Sequence, residues 1–397
     1  MKKVLVIGGG EYQCTLIRRL RDTGYAVYCV DKNETAPGFM LSTGYRVLDV
    51  LDKEACLKYA QELEIDGVMT YGATLTLPTV AYIGKKMGLP ALSEETAEIS
   101  KNKYQLKERL HAGGCNIFGE FFSMKNGIVP QREFPIPCVI KPCDGSGSKG
   151  VSLVYYREEL EEAIDYAFSS ARYGEIYCEE LIAGEEYSVE AFVADGEIFV
   201  YGIVKTTFCQ GENNDIRYGH RTPSGLPDET ETLIAEEVKK AIRALNITIG
   251  SVNFDVILSE KTGLPYIIDC GIRIGQNLLA SHLIPLSRGV SIIDNTIALA
   301  LGEHPDCSPK SRNCVATRLL IYQPGTIREI KPTDSLIGTS GIAAIVLRKG
   351  VGDVLKPYRD KSDTCGWVVC RGDTPDEAEE NAEKAKEQLR EYILIEK

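Results

Sequence analysis

Apolar runs and helix-like patterns alternate along the first hundred residues, and this alternation predicts strands and helices in turn. The first apolar run ends at Gly8–Gly10 and is followed by a helical pattern that continues to Arg21. The predicted strands are Lys3–Ile7, Ala26–Val30, Arg46–Val50 and Gly67–Thr70. Strands that alternate with helices form parallel sheets. Residues 1–100 are therefore predicted to form a Rossmann-like domain.

The middle of the chain has strand patterns typical of an antiparallel sheet with covering helices. A helical pattern spans 96–114, and the segment 117–132 has the character of a loop and an edge strand. The side chains predicted to be exposed on this helix are Lys101, Lys103, Lys107 and Arg109. The later predicted helices are Glu158–Ser169 and Asp228–Leu245, and the predicted strands are Glu175–Cys178, Tyr187–Ala194, Phe199–Val204, Ser251–Ser259 and Tyr266–Cys270. The polar segment Phe208–Gly225 is predicted to be a long functional loop.

The last hundred residues are strand-rich up to Val369 and then helical. Thr374, Pro375 and Glu377 match a helix N-cap, a first-turn proline and a capping-box glutamate. Small and apolar residues recur on one face of the segment that follows. This final helix is predicted to be structural.

A glycine-rich hairpin tip lies between two short predicted strands, within Pro137–Val151. Val139 and Ile140 lead to Lys141, and the tip combines glycine, serine and Lys149. Glycine lets backbone N–H groups approach phosphate oxygens, while lysine and serine add charge and hydroxyl donors. The same composition is typical of an ordinary exposed hairpin, and the loop lacks the strand-to-helix context of a P-loop.

Two aspartates lie on the predicted strand pair in the second half of the chain. Asp255 and Asp269 are each surrounded by apolar residues. A lone buried charge is costly, so each must be paired or must coordinate a cation. Magnesium is usually bound by one or two carboxylates together with phosphate oxygens. The alternative is that each aspartate caps a turn or forms a salt bridge with Arg273 or Arg217.

Another acidic residue follows the first predicted strand. Glu11 comes directly after the glycine turn, where a dinucleotide-binding protein needs room for a pyrophosphate. Asp31 would be the ribose partner in such a site. A carboxylate at a helix N-terminus suits the helix dipole and can hold an ammonium group. A structural or substrate-binding turn is therefore favoured over NAD binding.

Composition limits the classes of function. The 397 residues are 44% hydrophobic and 26% charged, as in soluble globular enzymes, and the length suggests several packed units. A net charge of −12 argues against a nucleic-acid or anionic-membrane surface. The 13 cysteines form no CxxC pair, and the chain starts with a strand pattern instead of a cleavable leader. A cytoplasmic protein with reduced thiols is expected.

Five segments, taken together, resemble the ATP-grasp superfamily in order and spacing. They are ISKNKYQLKERL, PCVIKPCDGSGSKGV, EELIAGEEYSVE, VNFDVIL and IIDCGIRIG. The opening GGGEYQ and the closing GWVVCRGDTPDEAEENAEKA are similar to the flanking domains of a particular branch. That branch includes biotin carboxylase, carbamoyl-phosphate synthase and the purine-pathway ligases. The resemblance implies an α/β and α+β multidomain chain: a Rossmann-like domain over 1–100, an ATP-grasp domain over 101–300 with a lid over about 117–184, and a C-terminal lobe over 301–397.

The resemblance also implies roles for matching residues. The residues implied to bind ATP are Lys103, Lys141, Gly145, Ser146, Gly147, Ser148, Glu179, Leu181, Ile182 and Glu186. Asp255 and Asp269 match the carboxylates that hold Mg²⁺, with Mn²⁺ as an alternative, and Arg273 with Lys141 would act on the transferred phosphate. One departure is Gly271, which replaces the usual asparagine ligand. Asn253 or Asn277 would then be a substitute ligand.

The implied reaction joins a small-molecule carboxylate to an amine through an acyl phosphate. The residues implied to bind these substrates are Glu11, Thr70, Thr74, His220, Arg221 and Ser224. The segment Gly219–Ser224 resembles amino-acid ligases, so an amino-acid ligase is the favoured function. A bicarbonate-using carboxylase is the enzymatic alternative, and a non-catalytic ATP-binding regulator is the alternative of another class. Dimers are common among such relatives, so a homodimer is one expectation.

Overall fold

The computed structural model describes residues 1–117, 119–145, 149–209, 216–276, 278–358 and 363–396. Within these ranges the chain forms four sheets with covering helices, the α/β and α+β architecture that was predicted. No helix of the described residues is long and apolar enough to cross a membrane.

The N-terminal sheet is parallel, with the strand order β3-β2-β1-β4. Its strands are β1 (Lys3–Ile7), β2 (Ala26–Asp31), β3 (Gly44–Val47) and β4 (Gly67–Met69), and its helices are α1 (Glu11–Asp22), α2 (Pro37–Leu41), α3 (Lys53–Leu63) and α4 (Leu77–Met87). The Rossmann-like prediction is confirmed. The third strand begins two residues before its predicted start, because Gly44 already pairs with Tyr28, and it ends at Val47, which pairs with the last residue of β2, Asp31.

The helical pattern before residue 114 forms two helices instead of one, α5 (Glu94–Ile99) and α6 (Lys103–Ala112). The side chain of Asn102 accepts a hydrogen bond from the backbone N–H of Gln105 at 3.0 Å and so starts a new helix. The predicted exposure of Lys107 is wrong. This lysine is buried because its ammonium group finds acceptors inside the protein, at 2.7 Å on the carbonyl oxygen of Ile267.

The glycine-rich hairpin belongs to a small antiparallel sheet of order β5-β8-β6-β7. The strands are β5 (Phe121–Lys125), β6 (Cys138–Pro142), β7 (Ser152–Val154) and β8 (Glu175–Glu180), and α7 (Leu160–Ser170) covers one face. The hairpin of β6 and β7 and the edge position of β5 are as predicted. Lys141 lies near the end of β6 and leads into the hairpin tip.

An eight-stranded antiparallel sheet is the centre of the molecule, with the order β13-β12-β9-β10-β11-β14-β18-β16. The strands are β9 (Gly184–Ala194), β10 (Glu197–Cys209), β11 (Ile216–Thr222), β12 (Gly250–Ser259), β13 (Pro265–Gly271), β14 (Cys314–Leu319), β16 (Ile342–Leu347) and β18 (Gly366–Gly372). The helices that complete this region are α8 (Asp228–Ala244), α9 (Ile284–Arg288) and α10 (Ile292–Ala300). The sheet combines strands from both sides of residue 300, the predicted boundary between two domains. The division of the chain into domains therefore stays a proposal.

Strand β11 corrects the prediction of a loop over Phe208–Gly225. Ile216–Thr222 pairs with both β10 and β14, while residues 210–215 lie outside the described residues. The strand was not predicted because it carries polar residues on both faces and so lacks an apolar alternation. One face carries Arg217 and His220 toward a polar cleft, and on the other face Arg221 finds acidic partners on a helix.

A C-terminal layer covers the far end of the central sheet. It consists of α11 (Pro375–Gln388) and a three-stranded sheet of β15 (Gly325–Ile330), β17 (Val354–Leu355) and β19 (Ile393–Glu396). The predicted cap of α11 is confirmed, since the Thr374 hydroxyl accepts a hydrogen bond from the backbone N–H of Glu377 at 3.1 Å. Small residues of α11 pack against the sheet.

Candidate functional site

The site begins with the alternation of side chains along β9. One face of this strand carries Tyr187, Val189 and Ala191, which pack in the core beneath α8. The opposite face carries Glu186, Ser188 and Glu190. The register places Asp255 of β12 opposite both Ser188 and Asp269 of β13. Three neighbouring strands therefore present their polar residues to one cleft.

Asp255 is bonded on both of its carboxylate oxygens. The Ser188 hydroxyl donates to Oδ1 at 2.9 Å, and Arg217 donates to Oδ2 at 2.9 Å. Arg217 also lies 2.7 Å from Oε1 of Glu186. Burial alone would lower the pKa of Arg217, but Asp255 and Glu186 outweigh burial and raise this pKa above its usual range. Arg217 thus links the metal-ligand candidate Asp255 with the ribose-contact candidate Glu186.

Asp269 forms an ion pair with Lys103, the first residue of α6. Burial would raise the pKa of Asp269, but the charges of Lys103 and Lys141 outweigh it and hold the pKa well below its usual range. Asp269 is therefore ionised at neutral pH. The two lysines predicted to bind ATP phosphates thus lie close enough to act on one of the two carboxylates predicted to bind magnesium.

Lys141 lies on the other wall of the cleft, on the small sheet. Its ammonium group is 2.5 Å from Oε1 of Glu179, and Lys107 is 3.2 Å from Oε2 of the same carboxylate. Burial lowers the pKa of Lys107 to about 8, although Glu179 opposes this shift. Glu179, predicted to contact adenine, is buried and holds both lysines. Lys107 was missed in the sequence because a lysine on a helical pattern usually faces solvent.

A buried carboxyl group lies beneath the Arg273 loop. Glu190 accepts a hydrogen bond from the Asn253 side chain at 2.9 Å, and burial raises its pKa to about 8, opposed by the charge of Arg273. Within the described ranges, Oε2 of Glu190 and Nε of Arg273 have no hydrogen-bond partner. Glu190 was not predicted, although its two-residue spacing from Ser188 and Glu186 indicates that all three share one face of a strand.

Glycine is required where this loop approaches Glu190. A methyl group on Gly275 would lie 1.9 Å from Oε1 of Glu190, and one on Gly271 would lie 2.9 Å from the guanidinium carbon of Arg273. The substitution of the usual asparagine by Gly271 therefore leaves space that the Arg273 side chain occupies. Asn253 pairs with Gly271 across the strands. It therefore stays a candidate for the missing ligand.

Gly275→Ala is expected to lower kcat at least about tenfold, which corresponds to ~1.4 kcal/mol of transition-state stabilisation. The added methyl group must push the Arg273 loop away from Glu190. Steady-state ADP release measures the effect, and thermal unfolding shows whether the fold survives. Gly44→Ala is the control, because its methyl group would meet only the Tyr28 ring, at 3.2 Å. Equal activities of the two variants would contradict this account of the loop.

The donor set fits a magnesium ion shared with phosphate groups. No group of three or more His, Cys, Asp or Glu residues able to hold a metal lies among the residues that the structure describes. Two carboxylates in register, Asp255 and Asp269, with the Asn253 amide nearby, match a hard cation that takes its other ligands from phosphate oxygens and water. Each carboxylate is balanced by a cationic side chain, Arg217 for Asp255 and Lys103 for Asp269.

The described residues among the other nucleotide-site candidates are Gly145, Leu181 and Ile182. Gly145 follows β6, whereas Ser146, Gly147 and Ser148 lie outside the described residues, as does Asn277. The backbone N–H of Leu181 donates to the carbonyl oxygen of Pro137 at 2.9 Å. Leu181 and Ile182 form the connection between β8 and β9, which joins the two sheets. Their assignment to adenine stays a prediction.

Three substrate candidates lie at the carboxyl edge of the N-terminal sheet. Glu11 forms an ion pair with Arg348 of the C-terminal region. The Thr70 hydroxyl donates to the carbonyl oxygen of Ile7 and accepts from Thr76, both at 2.9 Å. Thr74 begins a short 3₁₀ turn. Thr70 is thus engaged within the N-terminal sheet, while Glu11 is the candidate that reaches the C-terminal region.

The remaining candidates, on and beside β11, separate onto two faces. His220 is buried and lines a small cavity with Arg217 and Trp367. Arg221 points the other way, onto Asp376 and Glu379 of α11, where its contact with Glu379 is 3.0 Å. Ser224 donates to Glu231 at 2.6 Å. The structure therefore brings His220, and not Arg221 or Ser224, to the side of Asp255.

Comparisons with known proteins find two domains and several relatives that are similar to this chain. Residues 134–280 match the model of the ATP-grasp domain, and residues 318–393 match the L-amino acid ligase C-terminal domain 2. The chain is 27% identical over 341 residues to the uncharacterized protein y4rH of Sinorhizobium fredii, covering 84% of this chain and 69% of that protein. It is 28% identical over 296 residues to the formate-dependent phosphoribosylglycinamide formyltransferase of Prochlorococcus marinus, covering 70% and 73% respectively.

A crystal structure of L-amino acid ligase from Bacillus licheniformis superposes on this chain with a TM-score of 0.83. The sequence identity is 21%, and the superposition covers 100% of this chain and 99% of the ligase, so it shows a shared fold. Residues 134–280 thus form an ATP-grasp domain, and the similar proteins of the ATP-grasp superfamily are ATP-dependent ligases that form C–N bonds. Members of this superfamily use ATP with Mg²⁺.

Proposed function

We propose that this protein is a carboxylate–amine ligase that joins an amino acid to a second amino acid or another amine, with release of ADP and phosphate. One observation carries the proposal: Lys103, Lys141, Asp255, Asp269 and Arg273 come from four separate segments and converge on one cleft between two sheets. The match of residues 318–393 to an L-amino acid ligase domain supports amino acids as substrates.

The first step activates the acid. An oxygen of the substrate carboxylate attacks the γ-phosphorus of ATP, and the bond between that phosphorus and the β–γ bridging oxygen breaks. The products are an acyl phosphate and ADP. Lys103 and Lys141 would orient the phosphates, and Arg273 would stabilise the charge on the transferred group. Asp255 and Asp269 would hold magnesium, which when bound would neutralise further negative charge on the phosphates.

The second step forms the amide. The amine nitrogen attacks the acyl carbon, the carbon–oxygen bond to phosphate breaks, and the nitrogen loses a proton. Arg273 would also stabilise the negative oxygen of the tetrahedral intermediate. Water must be kept from the acyl phosphate, which is the role that we assign to the hairpin between β6 and β7.

ADP release tests the proposal directly. The protein is assayed with magnesium and ATP against single amino acids, amino-acid pairs, other amines and bicarbonate, and the products are identified by mass spectrometry. ADP release that requires an acid and an amine, with a product one water lighter than their sum, is the expected result. Release that depends on bicarbonate would favour the carboxylase alternative. ATP binding without turnover under every condition would contradict the ligase and favour the regulator.

A further inference from the structure

A buried lysine on α6 lies beside the residues assigned to ATP and takes no part in the two reaction steps. The ammonium group of Lys107 donates to the carbonyl oxygen of Ile267 at 2.7 Å and lies 3.2 Å from Oε2 of Glu179. Lysine is almost never fully buried unless it is paired, because its charge loses solvation. These two partners therefore compensate a charge that the protein keeps away from water.

Helix α6 connects the two walls of the cleft through two lysines. Lys103 and Lys107 are four residues apart and so share one face of the helix. Lys103 pairs with Asp269 of the central sheet. Lys107 pairs with Glu179 of the small sheet and bonds to Ile267, which lies on β13 of the central sheet. Lys107 therefore ties the small sheet to the central one at the back of the cleft.

Glu179 is shared by two lysines that differ in freedom. Nζ of Lys141 is 2.5 Å from Oε1, whereas Lys107 approaches the other carboxylate oxygen. The side chain of Lys141 is 12% exposed, against 4% for Lys107. Lys107 is also fixed by the carbonyl oxygen of Ile267, while Nζ of Lys141 lies 5.2 Å from the centroid of the Tyr177 ring. Lys141 is thus the lysine that can leave Glu179 when phosphates enter the cleft.

We propose that Lys107 is a positioning residue that stays on Glu179 when ATP takes Lys141. This inference rests on the ATP site of the proposed function. A carboxylate shared by two cations holds each of them less firmly, and it keeps a counter-charge after one of them leaves. Without Lys107, the movement of Lys141 to a phosphate would leave the buried Glu179 with neither cation. Lys107 thus acts on ATP through Glu179 and Lys141, without touching the nucleotide.

The first test is Lys107→Met, with ATP binding measured by calorimetry and turnover by steady-state ADP release. The dissociation constant and the KM for magnesium-ATP are expected to rise about 10- to 100-fold, while kcat at saturating ATP stays within about threefold of wild type. Arg109→Met is the matched control, because Arg109 lies on the same helix in an exposed ion pair with Glu95. Thermal unfolding shows whether both variants fold.

A double substitution separates positioning from a structural role. In Glu179→Gln no buried carboxylate needs a counter-charge, so the addition of Lys107→Met is expected to change the ATP dissociation constant less than about threefold. An equal loss of affinity in the wild-type and Glu179→Gln backgrounds would overturn the inference, as would wild-type ATP affinity in Lys107→Met. Either outcome leaves the ligase proposal intact, whereas absence of ATP binding by wild type would overturn both.

Proton uptake tests the inference in the wild-type protein as well. Burial lowers the pKa of Lys107 to about 8, Glu179 and Asp269 oppose this shift, and the charge of Lys141 adds to it. Tyr177 stays neutral, because burial raises the pKa of its hydroxyl. Departure of Lys141 would raise the pKa of Lys107. ATP binding near pH 8 is therefore expected to take up a fraction of a proton and to weaken as the pH rises further.

Calorimetry of magnesium-ATP binding in two buffers of different ionisation enthalpy measures this uptake. The expected result is uptake by wild type and by Arg109→Met, and a smaller uptake or none by Lys107→Met. Binding without proton uptake by wild type, or the same uptake by wild type and Lys107→Met, would overturn the inference.

Discussion

Lys141→Ala is expected to abolish measurable ATP turnover, with a loss of at least about a hundredfold in kcat/KM for ATP. The ammonium group of Lys141 lies 2.5 Å from Glu179 and contributes to the charge that keeps Asp269 ionised. Its removal takes a phosphate partner from the cleft. Steady-state ADP release and ATP binding by calorimetry measure the two consequences separately.

The fold is expected to survive this substitution. Glu179 keeps Lys107 as a partner at 3.2 Å, so its buried carboxylate is not left uncompensated. Lys125→Ala is the matched control, because Lys125 lies on the same sheet and forms an exposed ion pair with Glu175 at 3.1 Å. Full turnover in Lys141→Ala, or equal losses of turnover in the two variants, would show that Lys141 is not part of the ATP site.

Asp269→Asn is expected to lower kcat about a hundredfold and to raise the magnesium concentration needed for half-maximal rate at least about tenfold. The amide that replaces the carboxylate is neutral and binds a hard cation weakly. Lys103 also loses its ionic partner. A titration of ADP release with magnesium, repeated with manganese, separates the loss of metal affinity from the loss of rate.

The control for this variant is Asp294→Asn. Asp294 lies on α10 and forms an ion pair with Arg19 of α1 at 2.6 Å, outside the residues assigned to ATP and the metal, so its loss should change neither rate nor magnesium dependence. A magnesium titration of Asp269→Asn that superposes on that of wild type, whatever its maximal rate, would show that Asp269 is not a metal ligand. Asp255 would then be the candidate to test.

The elements were predictable from sequence where one face of a strand or helix is apolar. The strand Lys3–Ile7 has its predicted bounds, and the helix from Asp228 ends one residue before its predicted end, because local periodicity alone specifies them. Strand β11 was not predictable in this way. Its polar residues are stabilised by Asp255, Glu186 and the acidic residues of α11, which come from elsewhere in the chain.

The site shows the same division. Asp255 and Asp269 could be selected because a carboxylate stands out within an apolar strand. Arg217 was predicted only as an alternative salt-bridge partner of the aspartates, which its contact with Asp255 bears out. Lys107 could not be selected, because its partner Ile267 lies 160 residues away and its burial is created only by the fold. Arg348 is the extreme case, since its partner Glu11 is 337 residues distant.

Isotope transfer tests the central claim most directly. The acid substrate is labelled with ¹⁸O in its carboxylate, the reaction is run with magnesium, ATP and the amine, and the released inorganic phosphate is analysed by mass spectrometry. Attack of that carboxylate on ATP predicts one ¹⁸O atom in each phosphate, because the carbon–oxygen bond breaks when the amine attacks. Unlabelled phosphate accompanied by amide product would contradict an acyl-phosphate ligase.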